Sequence, residues 1–145
     1  MTGASMTGSA AAILVHDSTD VSPVAQIGIA HAVQAGNTVH ISGMVSVDVD
    51  GILVGNGDVE AQTRRCFEQI ETLLVEMGGS LSNVVKITTF LVDLADFAPM
   101  TKVRQDVFSR GHRPASSAVV VAALVFPGAL IEIEAVAVLP NQMAE

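Results

Sequence analysis

Two carboxylates near the end of the chain, Glu132 and Glu134, have the clearest potential for chemistry. They interrupt an apolar run over residues 130–138, whose β-branched residues predict a strand. Residues two apart in a strand point to the same side of the sheet, so both acids share one side. That side is therefore either exposed to solvent or the floor of a polar cavity.

Glu132 lies between Ile131 and Ile133. If burial removes water from its carboxyl group, the pKa of Glu132 rises, and the ionised group can act as a general base toward water. The alternative is a structural acid that is solvated or hydrogen-bonded, because perturbed carboxyl groups also occur in structural networks. The sequence leaves both roles open.

The other reactive side chains form no recognised catalytic or metal-binding motif. The histidines have no partners at metal-ligand spacing, and we interpret His31 and His40 as hydrogen-bonded residues of a hairpin. Cys66 lies on the apolar stripe of a predicted helix, which favours an inert core thiol over a nucleophile. Residues 48–51 resemble the start of a calcium loop, but their glycine comes too early, which favours a hairpin turn. We predict no metal and no cofactor.

Length and charge limit the classes of function. The chain has 145 residues, of which 50% are hydrophobic, enough for the core of one globular domain. Its net charge is -8, with only 7 Lys and Arg and no Tyr or Trp. Few groups can therefore neutralise phosphates or stack on bases. We expect no nucleic-acid partner.

The sequence also bears on location and domain organisation. No apolar run is long enough to predict a membrane-spanning helix, and the short run at residues 10–15 lacks the preceding basic residues of a signal peptide. We therefore expect no membrane partner. A single cysteine excludes an internal disulfide, which fits the reducing cytoplasm. We expect residues 1–10 to be flexible and residues 11–145 to form one domain.

The predicted elements form an α+β two-layer sandwich, with two helices on one side of a mixed sheet. We predict strands over residues 13–16, 26–33, 38–44, 45–49, 84–92, 115–124 and 130–138, and helices over 59–77 and 97–110. The last two strands are expected to flank a Pro-Gly turn in a buried sheet. The residues predicted to form the buried face of the second helix are Phe97, Met100, Val103 and Val107.

The chain is more apolar than a small monomer can readily bury. Its charged fraction is 15% and its mean hydropathy is +0.51, which favours burial between copies of the chain. Strand residues such as Ile87, Thr89 and Leu91 are expected to be covered by other subunits.

Several segments together resemble the Rid family, also called the YjgF family, over roughly residues 12–139. The matching segments are residues 32–37, 41–43, 58–63, 84–91, 93–97, 113–115 and 132–138. The resemblance implies a chorismate-mutase-like fold, a homotrimer, and a small-molecule cleft between neighbouring subunits. It also implies hydrolysis of reactive enamines and imines, such as 2-aminoacrylate, to ketoacids and ammonia.

The resemblance further implies a set of cleft residues, only some of which this chain keeps. Those kept are Ser42, Gly43, Phe97 and the catalytic Glu132. In the family, an arginine directly after Pro-Ala binds the substrate carboxylate, but here that position is Ser116, a neutral donor. Other family residues, a tyrosine, an asparagine and a cysteine, correspond to Ile29, Thr101 and Ala118.

The missing arginine leaves two expectations for function. One is a small-molecule hydrolase, an enamine or imine deaminase with an atypical substrate, in which Glu132 activates water and backbone groups around Ser116 and Ser117 hold an oxygen. The alternative is a non-catalytic, ligand-binding trimer. Without a fixed positive charge, the cleft is expected to prefer a neutral carbonyl compound or amide over a ketoacid. A replacement cation would reverse that preference, and Arg113 is the first candidate.

Overall fold

The computed structural model describes residues 12–24, 27–109 and 111–140. The predicted flexible segment, residues 1–10, lies outside them. The elements in chain order are β1 (Ile13–His16), β2 (Ala32–Ala35), β3 (Thr38–Val45), α1 (Val59–Glu76), β4 (Val84–Leu91), α2 (Phe97–Val107), β5 (Ala115–Val120) and β6 (Ile131–Val138). No helix in the described ranges is long and apolar enough to cross a membrane.

The six strands form one mixed sheet in the order β1-β2-β3-β6-β4-β5. Neighbouring strands are antiparallel except for β4 and β5, which are parallel. Parallel neighbours require a crossover connection, and α2 supplies it. The predicted α+β two-layer sandwich, with two helices packed on a mixed sheet, is confirmed.

The core lies between α1 and the face of the sheet that it covers. On β6, the buried residues alternate with exposed or half-buried ones, so this central strand has one core face and one open face. Helix α1 begins at Asp58, whose side chain accepts a hydrogen bond from the Ala61 amide at 3.1 Å, as expected of an N-cap. The helix is followed by Gly78 with a φ of 87°, a conformation that glycine adopts without strain.

The last two strands flank a turn at the predicted Pro-Gly position, but the prediction that both are buried is wrong for β5. Strand β5 ends at Val120 and pairs with β4, whereas β6 lies on the other side of β4. All residues of β5 are exposed in the single chain. The β-branched residues predicted the element type of β5 correctly, and the α2 crossover determines which strand it pairs with.

Three other elements are shorter than predicted. Strand β2 begins at Ala32 rather than at residue 26, and residues 25–26 lie outside the described ranges. Residues 45–49 contribute only an isolated bridge between Val47 and Leu53. The Asp48 carboxylate accepts hydrogen bonds from the amides of residues 50 and 52 and so closes a turn there. Helix α2 ends at Val107, and residue 110 is not among the described residues.

Two predictions of burial also fail. Phe97 is 41% exposed, although Met100 and Val103 of the same helix are buried as predicted. Phe97 is the first residue of α2, and its ring lies under an arginine of that helix rather than in the core. Ile87, Thr89 and Leu91 face the helices and are buried within the chain, so they do not need other subunits to cover them. The apolar side chains exposed on β5 and β6 include Val119, Val120 and Val138.

Candidate functional site

Glu132 lies half-buried on the open face of β6, beside a β-bulge in β3. In the bulge, Ser42 and Gly43 together stand opposite Glu134. Because Gly43 has no side chain, the carboxylate of Glu132 occupies the space above it. A Cβ atom at Gly43 would lie 2.6 Å from Glu132 Oε2. The bulge therefore allows the carboxylate to approach the main chain of β3.

The surroundings of Glu132 change its affinity for protons. Burial raises the pKa of its carboxyl group, and the negative charge of Glu134 raises the pKa further. A carboxyl group with a raised pKa is the stronger base once it has ionised. The geometry is thus compatible with the predicted general base, although the role itself stays a prediction.

Ser42 joins the bulge to the loop before β2. Its hydroxyl donates a hydrogen bond to the Ala30 carbonyl at 2.6 Å, and its amide donates to the His31 carbonyl at 2.9 Å. Because the hydroxyl hydrogen is used in this way, Ser42 can accept a hydrogen bond from a ligand rather than donate one. The loop carries Ile29, which is 44% exposed. We call Ile29, Ser42, Gly43 and Glu132 the Glu132 wall.

Most of the other predicted cleft residues lie where α2 passes β5. A cleft of about 330 Å³ is lined there by Thr101, Arg104, Gln105, Phe108, Arg113, Pro114 and Ser116. We call it the α2–β5 cleft. Among the described residues, its lining contains two arginines and no carboxylate.

Arg104 is the residue that the sequence analysis overlooked. Its Nη1 donates to Ser116 Oγ and its Nη2 donates to Thr101 Oγ1, both at 3.4 Å. The guanidinium carbon lies 5.9 Å from the centroid of the Phe97 ring. Residues 97, 101 and 104 recur at helical spacing and so share one face of α2. That spacing, applied to two residues already assigned to the cleft, is the signal that identifies Arg104.

The side chains of Ser116 and Ser117 lie on opposite faces of β5. Ser116 pairs with Ile87, whose side chain is buried beneath the helices, so Ser116 lies on the helix side of β5. Ser117 faces the open side, where Lys86 Nζ donates to its hydroxyl at 2.9 Å. The two hydroxyls therefore lie on opposite faces, because consecutive strand residues alternate between faces, and the oxygen-binding role of the backbone groups around these serines stays a prediction.

A single chain does not bring its two candidate walls together. Glu132 pairs with Phe90 and points to the open face, whereas Ser116 and Arg104 lie on the helix side of the sheet. The sheet itself separates the Glu132 wall from the α2–β5 cleft.

The remaining reactive side chains have structural environments. Cys66 is fully buried and donates to the Met44 carbonyl at 3.1 Å. Burial strongly raises the pKa of its thiol, and the charge of Glu132 adds to this, so the thiol stays protonated. His31 is also buried, accepts from the Ser18 amide and donates to the Ser22 carbonyl. Within the described ranges, no group of His, Cys, Asp and Glu could hold a metal ion.

Comparison with known proteins identifies the family. The family model described as Endoribonuclease L-PSP matches residues 19–139, and a Rid family protein from Yersinia pestis superimposes with a TM-score of 0.81 at 30% identity, over 88% of this chain and 100% of that one. The chain belongs to the Rid family. Yeast Mmf1 has the same fold, with a TM-score of 0.83 at 29% identity, covering 89% of this Rid chain and 100% of Mmf1.

Two relatives carry names that state a reaction. The 3-aminoacrylate deaminase RutC of Acinetobacter baylyi is 42% identical over 106 residues, which are 73% of this Rid chain and 82% of RutC. The 2-iminobutanoate/2-iminopropanoate deaminase of Mus musculus is 38% identical over 122 residues, 83% of this chain and 88% of the mouse protein.

Gly43→Ala should displace the Glu132 carboxylate without unfolding the chain. The added Cβ meets the flexible end of a side chain, and Gly43 is not among the residues with positive φ. The displaced carboxyl group becomes more exposed, so its pKa should fall toward the ordinary value. NMR titration of the side-chain carboxyl carbons measures this change, with Glu134 in the same spectra as the reference. An unchanged titration of Glu132 would show that Gly43 does not set its environment.

Proposed function

We propose that this Rid protein hydrolyses small enamines or imines to carbonyl compounds and ammonia. The observation that carries the proposal is the half-buried carboxylate of Glu132, which has a raised pKa and lies over a residue without a side chain. The two deaminases among its relatives support this class of reaction.

Hydrolysis of an imine moves both protons of the attacking water from oxygen to nitrogen, so it requires a group that can accept and donate a proton twice. An enamine first gains a proton at carbon and loses one from nitrogen to become the imine. Glu132 then takes a proton from water as the water oxygen bonds to the imine carbon, and the C=N double bond becomes single. The protonated Glu132 returns this proton to the nitrogen, which gives a carbinolamine with one hydroxyl and one amino group. Glu132 then takes the hydroxyl proton and passes it to the amino group, the C–N bond breaks, and ammonia leaves as the C=O bond forms. A raised pKa suits a group that must both accept and donate.

We propose that the complete site lies between two subunits of a homotrimer. The Glu132 wall of one subunit would face the α2–β5 cleft of its neighbour. This arrangement would combine the two walls that a single chain keeps apart. Exposed apolar residues on the open face, such as Val119 and Val138, support association through this region. A closed threefold arrangement repeats the same pair of walls at each interface.

Two other functions are less well supported. A non-catalytic, ligand-binding trimer is favoured by Ser116 in place of the family arginine, but it assigns no role to the raised pKa of Glu132. RNA cleavage is named in the description of the family model, yet a net charge of -8 with 7 Lys and Arg disfavours RNA as the substrate.

Glu132→Gln should abolish catalysis while the protein still folds. General acid–base catalysis contributes about a hundredfold or more to rate, and the amide cannot take a proton from water. Ammonia release from freshly generated 2-iminopropanoate, corrected for the rate in buffer, measures the loss. Glu134→Gln is the matched control, because it removes the same charge from the same face of β6 and should keep most of the activity. A wild-type rate equal to that of buffer, or a fully active Glu132→Gln variant, would refute the deaminase proposal.

The pH dependence should report the ionisation of Glu132. A general base works only when deprotonated, so kcat/KM should rise with pH along an acid limb centred above 4.5, the ordinary pKa of the group. Glu134→Gln removes the nearby charge that raises this pKa and should therefore shift the limb to lower pH. The measurement is kcat/KM against pH for both proteins, and an acid limb that Glu134→Gln leaves in place would contradict the assignment.

A further inference from the structure

We infer that Arg104 binds a carboxylate in the α2–β5 cleft and so replaces the arginine that the resemblance places at position 116. This inference rests on the proposed function, and it names a residue and a substrate class for that site. The ligand is an enamine or imine that carries a carboxylate, or the ketoacid formed from it.

The charge of the cleft is the first observation that supports this inference. The chain has 15 Asp and Glu against 7 Lys and Arg, yet the described residues that line the cleft include two arginines and no acid. In the described part of the chain, Arg64, Arg65 and Lys102 form ion pairs with acidic side chains, but Arg104 does not. A partly buried cation without a carboxylate partner favours an anionic ligand.

The contacts of Arg104 position its guanidinium without neutralising it. The two hydroxyls that it contacts, on Thr101 and Ser116, are uncharged and lie at 3.4 Å. The Phe97 ring, 5.9 Å away, adds a cation–π contact. The planar guanidinium has further N–H groups, which can bind both oxygens of a carboxylate.

Ser116 complements Arg104 in both size and charge. Its small side chain leaves room for the guanidinium and offers it an acceptor. An arginine at position 116 would instead place a second cation beside Arg104, and like charges at short range repel each other. The positive charge of the family site is therefore carried by α2 in this chain rather than by β5.

The expectation of a neutral ligand consequently rests on an assumption that does not hold. It assumed that hydroxyls and backbone amides were the only donors in the cleft, whereas the structure places a guanidinium against Ser116. Arg113 also lines the cleft, but its side chain is exposed, so solvent and salt screen its charge more strongly. Arg104, which contacts Ser116 directly, is the anchor that the geometry favours.

Calorimetric titration of the assembled protein with pyruvate and with pyruvamide tests the inference. The two compounds have similar shapes, but only pyruvate has a negative charge. Wild type should bind pyruvate more tightly, and Arg104→Met should weaken pyruvate binding about ten- to a hundredfold while leaving pyruvamide binding unchanged. Arg104→Lys, which keeps the charge, should weaken pyruvate binding less than Arg104→Met does.

Two further variants serve as controls. Lys102→Met removes the same charge from the same helix at an exposed residue that pairs with Glu60 at 3.5 Å, and it should leave pyruvate binding unchanged. The double variant Arg104→Met with Ser116→Arg returns the cation to β5 and should recover the binding that Arg104→Met loses. Ser116→Arg alone should not improve on wild type.

The inference is overturned if wild type does not prefer pyruvate to pyruvamide, if Arg104→Met binds pyruvate as wild type does, or if Arg113→Met causes the loss instead. These titrations need no turnover, so the two proposals can fail separately. Binding that depends on Arg104 in a protein that releases no ammonia would refute the deaminase alone. Ammonia release that depends on Glu132, without any effect of Arg104→Met on pyruvate binding, would refute the anchor alone.

Discussion

The alternation of side chains along β6 is the constraint on which the core and the candidate site both depend. One face of this strand packs under α1 through Ile131, Ile133 and Ala135, which are almost fully buried. The opposite face carries Glu132 and Glu134. Because β3 and β4 flank β6 on both sides, Glu132 is held by an internal strand of the sheet, which suits a group that must be positioned accurately. Glu132 can nevertheless be substituted without changing the core, because its side chain lies on the open face of β6.

The same alternation explains why the proposed site needs a second subunit. The sheet is a single layer with helices on one side only, so groups on its two faces cannot meet within a chain. Glu132 on the open face and Arg104 on the helix side must therefore come from different copies if they act on one ligand. The proposed site therefore requires assembly, and this requirement rests on the fold as well as on the resemblance to other Rid proteins.

The inferred role of Arg104 in the α2–β5 cleft would keep a charge of the site while its position in the sequence changes. Compared position by position, Ser116 marks the loss of an anchor. In space, a guanidinium from the neighbouring helix lies 3.4 Å from the Ser116 hydroxyl. The function of a charged residue depends on where its charged group lies in space. Two backbone positions that face the same cleft can therefore each supply that group.

Local signals made much of this structure predictable from the sequence. Helix α1, with the Asp58 cap and Gly78 after its end, follows from capping and periodicity, and the side of the sheet that Glu132 faces follows from the period of a strand. The partner of β5 and the exposure of Phe97 did not follow, because both depend on how α2 packs after the chain crosses over. Arg104 required both kinds of information: helical spacing marked its face, but only the packing of α2 beside β5 brought it to Ser116.

The central claim is that the site combines Glu132 from one subunit with Arg104 from the next. Mixing Glu132→Gln chains with Arg104→Met chains, followed by subunit exchange, tests it most directly. Each variant alone should release little ammonia from 2-iminopropanoate, but random mixed trimers should contain an intact pair of walls at roughly one site in four and recover activity accordingly. Mixed trimers, verified by mass spectrometry, whose activity does not exceed that of the two parent proteins would contradict the account.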